Sequence, residues 1–128
     1  MIAVDASAIL AIYFREPERQ DFVGALEGAA SVISPVNHWE VLARAHRVHG
    51  PAGVRRAEDM LESLGVQVVT MSAASSRMAH SAFVRFGKGV GGPLNLGDCF
   101  AYALAQSEGD GLLFKGEDFP KTDIRSVI

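Results

Sequence analysis

A chain of 128 residues is long enough to bury a core and short enough to be one domain, and 48% hydrophobic with 21% charged residues fits a globular protein in water. A net charge of −3 excludes bulk attraction to nucleic acid, so any such role must rest on local basic patches or on a metal. No apolar stretch can span a bilayer, no basic leader or cleavage site marks a secretory signal, and the lone Cys99 excludes an intramolecular disulfide, so a reducing cytoplasm is the expected location.

The run Ile2 to Val4 reads as a buried strand passing through Asp5 into a helix from Ser7. Arg15-Glu16-Pro17-Glu18 restarts a helix that carries Phe22, Val23 and Leu26 on one face and closes at Gly28. Ser31-Val32-Ile33 is a second strand. Ser34 then caps a helix to about Val48 that Gly50-Pro51 should stop. Val54, Ala57, Leu61 and Leu64 recur at helical spacing, and Gly65 ends that segment. Val66 to Met71 is expected as a strand, with a helix from Ser72 through Phe86 behind it. Gly87 to Gly92 reads as a mobile loop, and Asn95 opens a helix to about Gln106. Leu112-Leu113-Phe114 is a fourth strand, and Ile124 to Ile128 suggests a short terminal one. Alternating strands and helices predict a mainly parallel sheet covered by helices, an α/β architecture spanning residues 1–128 as one domain.

Asp5 is the most informative residue. A solitary carboxylate between two apolar runs, at a strand end, has little purely structural use, and open α/β sheets collect ligands there. Glu40, in the second turn of the Ser34 helix, Asp98, three residues after Asn95, and the pair Glu117-Asp118 occupy comparable settings. Each acid alone is equally well explained by helix-dipole stabilisation, and Asn95 to Asp98 has capping-box spacing. Together they favour a site for a hard divalent cation held by oxygen.

Competing motifs fail on context. Gly87-Lys88-Gly89-Val90-Gly91-Gly92 satisfies the dinucleotide-binding spacing, yet a helix precedes it and Pro93 follows. Cys99 stands among apolar helix residues and reads as core. His46 and His49 lie beside Arg44 and Arg47 without any zinc motif, and Trp39 reads as packing. Basic residues gather at Arg44, Arg47, Arg55 and Arg56, and again at Arg77, Arg85 and Lys88. The ordinary reading is a solvated face; the functional one is a phosphate track, for which Lys88 and Lys115 are the favoured residues because they neighbour the acids in sequence.

Taken in order, Val4-Asp5-Ala6-Ser7-Ala8, Glu40, Gly87-Lys88-Gly89, Leu94-Asn95-Leu96-Gly97-Asp98-Cys99 and Leu112-Leu113-Phe114-Lys115-Gly116-Glu117-Asp118-Phe119 resemble a PIN-domain ribonuclease of the VapC toxin type. The resemblance runs from Met1 to about Ile124. It implies a three-layer α/β/α sandwich that cuts RNA with Mg²⁺ or Mn²⁺, is often a homodimer, and assembles further with a VapB-type antitoxin. It also implies roles for particular residues. Asp5 and Asp98 match the main metal-binding aspartates, Glu40 the acidic helper and Asp118 the fourth acid. Ser7 keeps a hydroxyl able to orient Asp5, whereas Ala6, Asn37 and Glu117 depart from the usual pattern.

From the ligand type follows hydrolysis of a phosphodiester by metal-activated water, without need of the 2′-hydroxyl; the resemblance implies a 5′-phosphate and a 3′-hydroxyl as the products. Two other classes stay open: a phosphoacceptor or phosphatase using Asp5 as nucleophile, and a non-catalytic binding module. An antitoxin is expected to insert an Arg or Lys near Asp5, Glu40 and Asp98, its helix lying between Ile9–Phe14 and Val41–Val48. The first of these segments is apolar enough to suggest a face awaiting cover, by the antitoxin or by a second copy of the chain.

Overall fold

A computed structural model describes residues 1–128. Four parallel strands, β1 (Ile2–Val4), β2 (Ser31–Ile33), β3 (Val66–Val68) and β4 (Leu112–Leu113), form one sheet in the order β3-β2-β1-β4. Five helices connect them: α1 (Ala6–Tyr13), α2 (Arg19–Leu26), α3 (Pro35–Ser63), α4 (Ala73–Phe86) and α5 (Leu96–Glu108). The chain order turns back between β1 and β4, and ligands of open α/β sheets bind at the carboxyl ends of the strands beside such a switch.

Strand side chains alternate between faces, which is why two cores form. Val4, Ile33 and Leu113 point to one side and pack with α1, α2 and α3, while Ala3 and Leu112 point to the other and pack with α4 and α5. The result is the three-layer α/β/α sandwich. No helix is long and apolar enough to cross a membrane.

Several elements differ from their sequence reading. The helices expected on either side of Gly50-Pro51 abut as one run, α3, which bends at Gly50, whose φ of 66° and ψ of −158° no helix contains. Strand β3 stops at Val68 and not at Met71. It is an edge strand whose one neighbour ends at Ile33, so pairing runs out after Val69 donates to the Ile33 carbonyl. The terminal strand reduces to a single parallel bridge between Leu112 and Ser126. The Gly87–Gly92 segment is a tied turn: the Lys88 amide donates to the Leu94 carbonyl, the Leu94 amide to the Phe86 carbonyl, and the Gly92 amide to the Gly87 carbonyl. Helix α1 does not await cover, because α2 and α3 already bury Ile9, Ile12 and Tyr13 and leave only Leu10 and Phe14 partly open.

Candidate functional site

Strand β1 ends by delivering Asp5 to the carboxyl edge. Its extended backbone caps α1, and its Oδ2 accepts the Ser7 amide at 3.0 Å. The carboxylate is 5% exposed and has no basic partner. Burial therefore pushes its pKa up to about 7, with Asp98 and Glu40 adding repulsion and the Ser7 hydrogen bonds opposing. The Ser7 hydroxyl accepts the Lys115 amide at 3.0 Å, which ties the segment leaving β4 to the start of α1.

Glu40 is held by a buried polar relay. Ser34 caps α3 by accepting the Asn37 amide at 3.1 Å, and its hydroxyl donates to Asn37 Oδ1 at 2.6 Å. Asn37, fully buried, then donates from Nδ2 to Glu40 Oε1 at 2.8 Å and to the Gly97 carbonyl at 3.0 Å. One amide thus fixes the Glu40 carboxylate against the first turn of α5. Glycine at 97 makes the approach feasible, since a Cβ there would stand 2.5 Å from both Glu40 carboxylate oxygens. Burial raises the Glu40 pKa, Asn37 opposes the rise, and Asp98 adds to it.

Asp98 sits in that same turn through a reciprocal cap: its amide donates to Asn95 Oδ1 at 2.9 Å, and its Oδ2 accepts the Asn95 amide at 3.0 Å. The capping and functional readings of this residue are therefore compatible. Burial raises its pKa first, the Asn95 amide lowers it, Asp118 raises it and Lys88 lowers it.

Asp5, Ser7, Glu40 and Asp98 line one cleft of about 370 Å³, with Leu10, Trp39, Arg44 and Arg47 on its walls. Asp118 and Glu117 are exposed on the segment after β4 and stand outside the cleft wall, though Asp118 is near enough to act on Asp98. Lys88 is exposed beside an apolar cavity that includes Phe83 and Leu94. Lys115 is not free to meet RNA as expected: its Nζ bridges Glu16 at 2.9 Å and Glu18 at 3.2 Å. Trp39 is not packing, being 67% exposed at the cleft mouth. Asn37 and Gly97 are site residues to which sequence reasoning gave no role in this cleft, Asn37 being noted only as a departure from the hydroxyl residue usual in the resemblance. Arg44 and Arg47 were named in a basic cluster whose functional reading was a phosphate track, and both line the cleft.

The donor set tests whether a cation fits. Every candidate ligand is a carboxylate oxygen, none forms an ion pair within the chain, and burial, with a smaller part from neighbouring carboxylates, raises their pKa values. No three of these side chains converge on a common point. A hard ion that keeps part of its water shell suits such a set better than one stripped of it. In donor chemistry alone, Asp5, Glu40 and Asp98 suit a hard divalent cation.

Comparison with known proteins bears on the family and the fold. The family model of the PIN domain matches residues 2–125. Ribonuclease VapC42 of Mycobacterium tuberculosis is 42% identical over 125 residues, spanning 95% of both chains. Ribonuclease VapC30 of the same organism is 35% identical over 128 residues, spanning 98% of both. In fold, the chain superposes on the crystal structure of Mycobacterium tuberculosis VapC20, described as a Sarcin-Ricin loop cleaving toxin, with a TM-score of 0.77 at 16% identity, covering 98% of this chain and 97% of that one.

Proposed function

Because this chain belongs to the PIN-domain family, and within it to the VapC type, we propose that it is a divalent-cation-dependent endoribonuclease acting as the toxin of a type II toxin–antitoxin pair. The observation that carries the reading is Asp5, buried at the carboxyl edge with Glu40 and Asp98 about it and no cation of the protein's own to balance it.

Asp5 and Asp98 are the residues that would hold Mg²⁺, or Mn²⁺ in its place, with Glu40 as a third oxygen donor. When bound, such an ion neutralises charge on the scissile phosphate and acidifies water for attack on phosphorus. The chain's own residues do the rest. Ser7 holds the Asp5 carboxylate through its amide, and Asn37 fixes Glu40 and the α5 turn together. Glu40, its pKa raised by burial, accepts a proton from the attacking water. Arg44 and Arg47, on the cleft wall, take the phosphates that flank the scissile bond. Asp118 acts from outside the cleft as a fourth acid, through its field on Asp98. The products are a 5′-phosphate and a 3′-hydroxyl.

The partner in this reading is a VapB-type antitoxin that places an Arg or Lys in the acidic cleft, and a homodimer is the expected assembly. Purified protein should cut single-stranded RNA in Mg²⁺ or Mn²⁺, stop in EDTA and resume when the ion is restored. Cleavage that persists in EDTA after exhaustive dialysis, or none with either ion, overturns the proposal.

A further inference from the structure

Beyond the cleft, along the same α1–α3 seam, lies a second pocket that the proposed chemistry does not use. It has a volume of about 470 Å³, within the range of pockets that take small organic ligands, roughly 300–1,000 Å³. Its walls combine Tyr13, Phe14, Arg15, Arg19, His49 and Arg56. Three of these six are arginines, and none of the three makes a salt bridge or a side-chain hydrogen bond in the protein.

One of them, Arg56, is instead set against an aromatic ring. The Arg56 guanidinium lies 4.2 Å from the Tyr13 ring centroid, a distance at which the ring quadrupole attracts it. Tyr13 is buried, and its hydroxyl shares a hydrogen bond of 2.8 Å with His49 Nδ1, which fixes the exposed imidazole. Phe14 and His49 then present ring faces 6.2 Å apart and inclined by 38°. Arg15 adds a second observation. It ends α1 with a φ of +55°, a left-handed conformation that glycine fills at little cost and an arginine fills at some strain. Such strain is tolerated where the side chain is wanted.

The pocket also neighbours the acidic cleft. Arg44 lines the cleft, and its guanidinium lies 5.6 Å from the centroid of Phe14, which lines the pocket. Leu10 and Phe14 are one helical turn apart on α1, as Arg44 and Arg47 are on α3. A strand of RNA leaving the carboxylates along this seam would therefore meet Arg44 and Arg47 first, and then the aromatic and arginine pocket.

We propose that this pocket is a distal RNA subsite, in which Arg15, Arg19 and Arg56 take backbone phosphates and Phe14 with His49 stacks an unpaired base. The inference rests on the ribonuclease reading for the identity of the polyanion. Arginines free of salt bridges beside aromatic rings are the chemistry by which single-stranded RNA is held without reading its sequence. The subsite sets how firmly a long substrate is gripped and leaves the bond-breaking step alone.

The test uses the whole protein and a fluorescein-labelled single-stranded RNA of about 12 nucleotides, with binding followed by anisotropy in EDTA so that no cleavage occurs. Arg19→Ala and Arg56→Ala should each weaken binding about tenfold, and each should flatten the plot of log affinity against log salt by about 0.7. With the ion present, KM for the same RNA should rise while kcat stays at the wild-type value. Arg56→Lys keeps the charge, so it should recover most of the affinity; Arg19, which makes no salt bridge or side-chain hydrogen bond in the fold, guards against a loss caused by misfolding. Wild-type affinity and salt slope in both alanine variants, with cleavage intact, overturn the subsite and leave the ribonuclease reading standing. If the variants instead bind RNA normally but lose a copurifying partner protein, the pocket belongs to that partner and the subsite is again overturned. Should the wild-type chain cut no RNA yet bind it in an Arg19- and Arg56-dependent way, the subsite stands and the ribonuclease reading falls.

Discussion

Four residues apart on α5, Asp98 and Tyr102 belong to opposite electrostatic regimes. Tyr102 donates its hydroxyl to Asp123, which also takes the Arg85 guanidinium at 2.9 Å, while Arg85 Nη1 and Gln106 Nε2 donate to the tyrosine oxygen at 3.1 and 2.9 Å. Asp123 consequently has its pKa drawn down, by the Tyr102 hydrogen bond first and Arg85 next. One turn earlier, Asp98 joins Asp5 and Glu40, whose pKa values burial and mutual repulsion all raise. A carboxylate compensated inside the protein ties the C-terminal segment to α4 and α5. A set left uncompensated holds charge in reserve for something from outside. The difference separates architecture from chemistry within one helix.

The sharpest way to break the contrast is Asp5→Asn. An amide keeps the oxygen that caps α1 and removes the charge. Cleavage should fall by a factor on the order of 10²–10³ or more. Stability should move the other way. The folded-state pKa of about 7 lies above the unfolded value of 3.8, so the folded chain retains a proton that the unfolded chain has released. Asp5 is therefore harmless below the unfolded value, and stability is lost as pH rises from about 4 through about 7, by on the order of 4 kcal/mol at most for three units of difference. Thermal melts in EDTA should show that decline in the wild type and a flatter profile in Asp5→Asn. A variant less stable than wild type at about pH 8 would refute the uncompensated-charge account.

A smaller effect probes how the cleft is shaped. In Gly97→Ala the new Cβ meets both Glu40 oxygens at 2.5 Å, so either that carboxylate or the α5 turn must move. Alanine gains about 1 kcal/mol of helix propensity, while forced contact costs about 1–3 kcal/mol, so net destabilisation should be slight. Activity should drop about 10–100-fold, because the displaced group supports a ligand set. Unchanged cleavage in Gly97→Ala would mean that the Asn37–Glu40–Gly97 contact does not position the site.

What the chain disclosed in advance follows the range of the interactions concerned. Asp5, Glu40 and Asp98 were legible because each stands next to a local signal, a strand end or a helix cap such as Ser34 or Asn95. The parallel sheet was legible from alternation of short apolar runs with helical periods. The role of Asn37 was not legible because the partner that makes it a bridge, Gly97, is 60 residues away, although Ser34 and Glu40 are local. Lys115 was misjudged for the same reason: Glu16, which engages it, lies 99 residues back in the chain. The length of β3 was overread because its own sequence stays strand-like past the point where β2 can pair with it. Helix α1 read as uncovered because an apolar run does not say whether tertiary neighbours already meet it.

The smallest expected effect tests the compensated side of the comparison. Asp123→Ala removes the acceptor shared by Tyr102 and Arg85, and Arg85→Ala removes its cation. Both partners of that ion pair are half exposed, at 54% and 51% of their side-chain surface, so water and salt replace much of what is lost. The Tyr102 hydroxyl keeps Gln106 as a donor in either variant. Melting temperature should therefore fall only slightly, with the deficit shrinking in high salt as screening weakens the wild-type pair. Cleavage and ion dependence should stay at wild-type levels in both variants, since neither residue lines the cleft. A large loss of activity from either substitution, in protein that melts normally, would show that the C-terminal tie sets the position of Asp118 and through it the site. The division of α5 into an architectural and a chemical turn would then be wrong.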